Sequence, residues 1–310
     1  NLAGVDAVTT AANPSGDPWL REAFQRIEDL LQAVRRQRVG EQPSEYEERC
    51  RAELDTLYGA HDSALQRWQN LLDRKDARGH PLVYSPPIRR QIVWTQLARC
   101  GRQWEKLTVA QLERALGLLE SNLQEEPGDD KSVRLWIQGA RYLTRPPSLE
   151  LVSERVAYWR SNGDSLDAVY YAYVLQAVQA LSGSTLAGDR ANKALEESRN
   201  RGRYRRDRTR SFEWLGAGEG LQQLVHQDRL GQWDREADFW TNAGRLRRVE
   251  GVVSHISGPQ AGDIDLGYGL KAFFVPGASG LDYGRSENAR VSLYLGFSYE
   301  GLRAWSVKAI

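Results

Sequence analysis

The sequence predicts a multidomain, α-then-β protein: an α-solenoid of tetratricopeptide-like helical hairpins followed by a small five-stranded OB-like β-barrel. Three observations lead there. Between Trp19 and Arg199, apolar residues recur on one helical face in stretches of about 12 to 18 residues, separated by breakers at intervals of roughly 20. From Arg247 the apolar period drops to two. Five such short runs then fit between Arg247 and Ile310, with Gly251, Gly258 and Gly262 placed to bend strands.

Asn1 to Pro18 is small and polar and reads as a linker. Trp19 opens a helix whose stripe is Ala23, Ile27, Leu30, Leu31 and Val34. Pro43-Ser44 restarts the pattern, and Tyr46 to Leu72 reads as one long helix or two joined near Gly59, with Ala60, Ala64, Leu65, Trp68 and Leu72 on one face. Pro81 and Pro86-Pro87 read as breakers, after which Ile88 to Cys100 forms a helix. Thr108-Val109-Ala110-Gln111 has the form of a capping box and starts the next helix, to Leu123. Helices follow at Ser132 to Leu143, Ser148 to Trp159, Asp164 to Leu181 and Gly188 to Arg199. The stretch Ser148 to Asn200 comes nearest to a tetratricopeptide-type unit, mixing Trp159 and Tyr171 with Ala168 and Ala172. Trp68, Trp94, Trp104, Trp136 and Trp159 fall on apolar stripes and are expected in the core.

Residues 19–210 are therefore expected to form the helical domain and 211–246 an aromatic-rich connector that packs it against the barrel, residues 247–310. The expected strands are Val249 to Ile256, Gly262 to Leu266, Leu270 to Val275, Ala289 to Phe297 and Leu302 to Val307. Their apolar centres and few edge charges argue for closure.

The formal net charge of +1 provides no global field toward nucleic acid or acidic membranes. Cys50 and Cys100 lack partners at metal-ligand spacing, so no metal is expected, and two lone thiols fit a reducing cytoplasm. No apolar run approaches the length of a membrane span. Methionine is absent, so the chain is expected to be a piece of a longer protein, or to have had modified methionines left out of the written sequence.

No phosphate-loop motif occurs, and Gly216-Ala217-Gly218-Glu219-Gly220 neither follows an expected strand nor carries the lysine such a loop needs. His61, His80, His226 and His255 are dispersed, with no nucleophile motif beside them. The pairs Glu125-Glu126 and Asp129-Asp130 read as solvated loop charge. No cofactor and no catalytic residues are expected.

Two features bear on binding. Arg199 to Arg210 holds seven arginines against one acid, Asp207, with Tyr204 among them. Arg201, Arg203, Tyr204, Arg205, Arg206, Arg208 and Arg210 are candidates to hold a phosphate backbone; the same arginines could instead pair with acids of neighbouring helices or lie in a solvated loop. The second is the barrel face, where Lys271, Phe274 and Tyr294 are candidates to meet a single strand. Phe273 and Phe274 point to opposite faces, one core and one exposed. Against this, Gly244 to Ile310 carries eight Lys/Arg and six Asp/Glu, a weak excess for a nucleic-acid binder.

Gly251-x-Val253, Ile256-Ser257-Gly258-Pro259-Gln260-Ala261-Gly262-x-Ile264, Ala272-Phe273-Phe274-Val275-Pro276 and the run Val291 to Trp305 resemble the C-terminal OB-like domain of large STAND-type NTPases. These include bacterial defence NTPases and the sterile-alpha-motif-containing antiviral factors of animals. Glu213-Trp214-Leu215-Gly216 and Leu224-Val225-His226 are similar to the connector of that family. The resemblance is strong over Ser211 to Ile310 and general over the helices. It implies an upstream P-loop NTPase, a tetratricopeptide-like array and this barrel, with the present chain as a non-catalytic sensor that binds a protein partner or trigger and contacts the NTPase domain. RNA or single-stranded DNA binding is the alternative, and no membrane partner is expected.

Overall fold

Hydroxyl residues open most of the helices. Ser44, Thr108, Ser148, Ser165 and Ser184 each accept a hydrogen bond from the backbone N–H three residues on, at 2.9–3.3 Å. At Thr108 the box is reciprocal, because the Gln111 side chain accepts from the Thr108 N–H at 3.0 Å. The computed structural model describes residues 18–37, 43–281 and 286–310, among which lie nine α-helices and nine strands. The linker expected at the start lies outside the described residues except for Pro18, which opens α1 (Pro18–Gln37), where a missing N–H costs nothing.

Next come α2 (Glu45–Tyr58) and α3 (His61–Leu72), separated by Gly59 in the left-handed region at φ 86°. Then follow α4 (Ser85–Arg99) and α5 (Val109–Glu125). Pro86 and Pro87 do not break the chain as expected; they lie in the first turn of α4, where proline is tolerated. Ala52, Ala64, Trp68, Leu71, Val83, Ile88 and Ile92 form the core of this part. Trp94 departs from expectation: it stays 39% exposed, with the Arg102 guanidinium over its ring at 5.9 Å. The α1 stripe also departs, since Ile27, Leu30 and Val34 are exposed while Phe24 packs on Tyr58 at 4.2 Å.

Packing divides the chain into two units, Asn1–Glu125 and Glu126–Ile310, whereas the expected partition at Arg210 and Arg247 followed the change of secondary structure. The second unit begins with α6 (Asp130–Ala140), α7 (Leu149–Asn162), α8 (Leu166–Leu181) and α9 (Thr185–Gly202). Trp136 and Trp159 meet edge to face at 5.4 Å between α6 and α7. Helix α8 is buried on nearly every side, including Tyr170, Tyr171 and Tyr173, which marks it as the centre of the unit. Asp130 is not solvated loop charge as expected. Its Oδ1 accepts from the Ser165 hydroxyl at 2.6 Å and the Asp167 N–H at 2.9 Å, so it anchors the start of α8, and burial raises its carboxyl above the usual range.

Strands β5 (Arg248–Gly258), β6 (Ala261–Gly267), β7 (Leu270–Phe274), β8 (Arg290–Ser298) and β9 (Gly301–Ala309) match the five expected runs closely. They close on themselves in the order β5-β6-β7-β9-β8-β5, antiparallel except for the β7–β9 pair. Val253, Ile256, Ile264, Ala272, Phe274, Val291, Leu293 and Leu295 fill the interior. Strand β5 serves two neighbours: Arg248 to Val252 pair with β8 and Val252 to Gly258 with β6. Gly251 stands at the changeover, where a Cβ would meet Ile264 at 2.6 Å and the Asp265 carbonyl at 2.8 Å.

The connector also contributes to the sheet. Its β1 (Glu213–Leu215) pairs with β8, and β2 (Leu224–His226) extends the sheet beyond β1. The two-residue strands β3 (Trp233–Asp234) and β4 (Phe239–Trp240) form a hairpin beside it. Trp214, Trp233, Phe239, Trp240 and Trp305 make a mutually edge-to-face or tilted aromatic cluster. Among the described residues, no helix is long and apolar enough to cross a membrane.

Candidate functional site

The ionisable groups that converge in the second unit do so where the helices meet the barrel. Asp167, near the start of α8, is 2% exposed. Its carboxylate receives a fork from Arg134 of α6, Nε at 2.9 Å and Nη2 at 3.0 Å, and the hydroxyl of Tyr299 from the β8–β9 turn. Burial raises the Tyr299 phenol far above its ordinary value, and Asp167 pushes it the same way. Further along the junction Glu213 of β1 is fully buried, and its Oε1 accepts from Arg141 Nη2 at 2.7 Å and from the Tyr171 hydroxyl at 2.8 Å. The Tyr170 hydroxyl donates to the Phe297 carbonyl of β8 at 2.8 Å. Burial opposes the charge on Arg141, but Glu213 and the nearby tyrosines more than offset it.

Each carboxylate here already has a cation and a phenol. A buried pair left without one partner is costly. The arrangement fastens β1 and the β8–β9 turn to α6 and α8. Sequence reasoning missed all four charged members. A single Asp in a first helical turn reads as a dipole partner, and a single Arg on a helix reads as surface.

The arginine-rich segment is largely turned to the same purpose. Arg199 Nε donates to the Glu300 carbonyl at 2.7 Å, and Arg201 pairs with Asp164 at 2.7 Å and Glu197 at 3.1 Å. Arg205 forks onto Asp207 at 3.0 and 3.1 Å and lies over the Tyr299 ring at 4.6 Å. Arg208 pairs with Glu300 at 2.6 Å, and Arg210 donates to the Gln227 side chain at 2.8 Å. Arg203, Tyr204 and Arg206 remain exposed.

The barrel residues do not form the expected face. Phe274 is 1% exposed and belongs to the interior, so the outward ring of the pair is Phe273, which is half-buried under Arg303 at 4.9 Å. Tyr294 is covered as well, stacked on Phe239 at 4.9 Å with Arg248 over it at 4.5 Å. Lys271 is exposed on β7, and Tyr204, on another element, is the most open ring of the set. The β3–β4 hairpin covers Tyr294 through Phe239, and the β7 register against β6 turns Phe274 inward.

In the first unit, a groove of about 470 Å³ opens between α3, α4 and α5. Leu65, Cys100, Leu107 and Ala110 line it, with Gln96 and Gln111 among them. Arg99 and Arg114 also line it, paired with Asp62 at 2.8 Å and bonded to Gln69 at 2.7 Å. Among the described residues, no group of three or more His, Cys, Asp or Glu side chains is placed to hold a metal ion. No family model matches this chain, and no curated protein or solved structure matches it.

Proposed function

We propose that this chain is a non-catalytic recognition region of a larger STAND-type immune or antiviral NTPase, and that it binds an apolar segment of a protein partner or trigger. The groove lined by Leu65, Cys100, Leu107 and Ala110 is the observation that carries the reading. It combines apolar and polar side chains from consecutive helices, which suits an amphipathic helix. The closed barrel, in the strand order first, second, third, fifth, fourth, supports the OB-like reading that the resemblance implies. Consecutive helical hairpins are in keeping with a tetratricopeptide-like array. In this reading the partner's binding free energy shifts the NTPase between closed and open states.

Ala110 is exposed at the groove, so Ala110→Arg fills it from the helix surface. Proteins retained by the immobilised chain from its own cells are expected to slow alkylation of Cys100 and not of Cys50, and to be lost with Ala110→Arg. Retention that survives this substitution with Cys100 still open to the reagent would remove the groove from the account.

A further inference from the structure

The fold gathers three arginines around two rings at the helix–barrel junction. Arg134 and Arg210 both lie over the Phe212 ring, at 5.8 and 6.0 Å from its centre. Phe212 meets Tyr299 edge to face at 5.7 Å, and Arg205 lies over Tyr299 at 4.6 Å. Arg205 and Arg210 belong to the arginine-rich run, whereas Arg134 comes from α6 and is brought to them only by the fold. Arg134 also acts on Asp207, adding to the Arg205 fork that holds this carboxyl below the usual range.

Their internal partners do not use all of their N–H groups. Arg134 gives Nε and Nη2 to Asp167, Arg205 gives Nε and Nη2 to Asp207, and Arg210 gives Nε to Gln227. Among the described residues no acceptor meets Nη1 of Arg134 or Arg205, or either terminal nitrogen of Arg210. A guanidinium already fixed by one partner loses little freedom when its remaining edge takes a second. Three such edges around one aromatic pair suit the oxygens of a phosphate group.

We propose that Arg134, Arg205 and Arg210 form a phosphate-binding site, and that its ligand is a single-stranded nucleic acid with a base on Tyr204. Tyr204 adjoins Arg205 in sequence, is 83% exposed and has Arg203 over its ring at 4.6 Å. Arg203 and Arg206 are exposed cations with no acidic partner among the described residues, so further phosphates of a strand have groups to meet. A phosphopeptide, with one phosphate, would leave these two and the open ring unused. The barrel aromatics take no part. The site is also independent of the apolar groove, because it lies in the other unit and uses different residues.

Fluorescence anisotropy with a labelled oligothymidylate of about 15 nucleotides tests this, with salt raised from about 50 to 200 mM. The paired variant Arg205→Gln/Arg210→Gln is expected to weaken binding at least about tenfold and to make the salt slope shallower by roughly one to two. Tyr204→Ala is expected to weaken it by several-fold with the slope unchanged, as loss of stacking does. Arg235→Glu, on the exposed β3–β4 hairpin, controls for net charge and is expected to bind nearly as the parent does. Circular dichroism confirms that each variant is folded, and none of these substitutions touches the buried Asp167. Four results would each overturn the proposal: no binding at the lowest salt, equal weakening in Arg235→Glu, a mononucleotide or a phosphopeptide binding as tightly as the strand, or a paired variant that binds like the parent.

Discussion

Arg205 sets how Asp207 responds to pH. Its carboxyl is held low first by the Arg205 fork, so its folded-state value lies below the unfolded one. The stability it contributes is therefore present above the ordinary carboxyl range, near 4, and is lost as pH falls through the folded-state value. Asp207→Asn is expected to lower the urea midpoint at pH 7, and the gap to the parent is expected to narrow steadily as pH falls below about 4. A gap that stays constant with pH would show that the fork carries no charge-dependent stability. Asp130 has the opposite sign, since burial raises it, and its contribution fades as pH rises. Two other residues mark what the sequence can say at this scale. Alternation told that one of Phe273 and Phe274 faces inward but not which one, because this depends on the register of β7 against β6, in which Gly262 lies opposite Phe274. Likewise the arginines from Arg201 to Arg210 were visible as a run. Of their acid partners, Glu197, four residues before Arg201 on α9, was within reach of the pattern, but Asp164 and Glu300 come from separate elements and were not.

At the scale of elements, the β6–β7 hairpin and α9 lock together through their closest approach. Tyr268 and Gly269, both at positive φ (55° and 76°), form the two-residue turn. The Gly269 carbonyl accepts from Asn192 at 2.9 Å, and a Cβ on Gly188 would lie 1.9 Å from the Tyr268 carbonyl oxygen. Helix propensity alone would have Gly188→Ala stabilise by up to about 1 kcal/mol. The backbone clash reverses this, and the variant is expected to lose about 1–3 kcal/mol, read from the urea midpoint at constant m-value. A gain would mean that the hairpin does not rest on α9. Elements with strong periodicity and their own caps, such as α5 behind Thr108 and the five barrel strands, were legible from the sequence. The short β1 and β2 were not, since three residues carry no period, and their pairing with β8 depends on tertiary contact. The stripe of α1 was legible as a pattern only, and Ile27, Leu30 and Val34 remain exposed.

Across the molecule, the convergent ionisable groups join α6 and α8 to β1 and the β8–β9 turn, so that residues 126–310 respond as one body. Arg141 and Glu213 are the sharpest case, each almost wholly out of solvent. Removing one partner of such a pair costs about 3–5 kcal/mol, whereas replacing both by apolar groups can be nearly neutral. Hydrogen-exchange mass spectrometry on the parent, Arg141→Met and Arg141→Met/Glu213→Met tests this directly. In the single variant, α8 peptides and β8 peptides are expected to lose protection together and by similar amounts, and the double variant is expected to restore most of it. Barrel peptides that keep parental protection while α8 loosens, or a double variant no better than the single one, would contradict it.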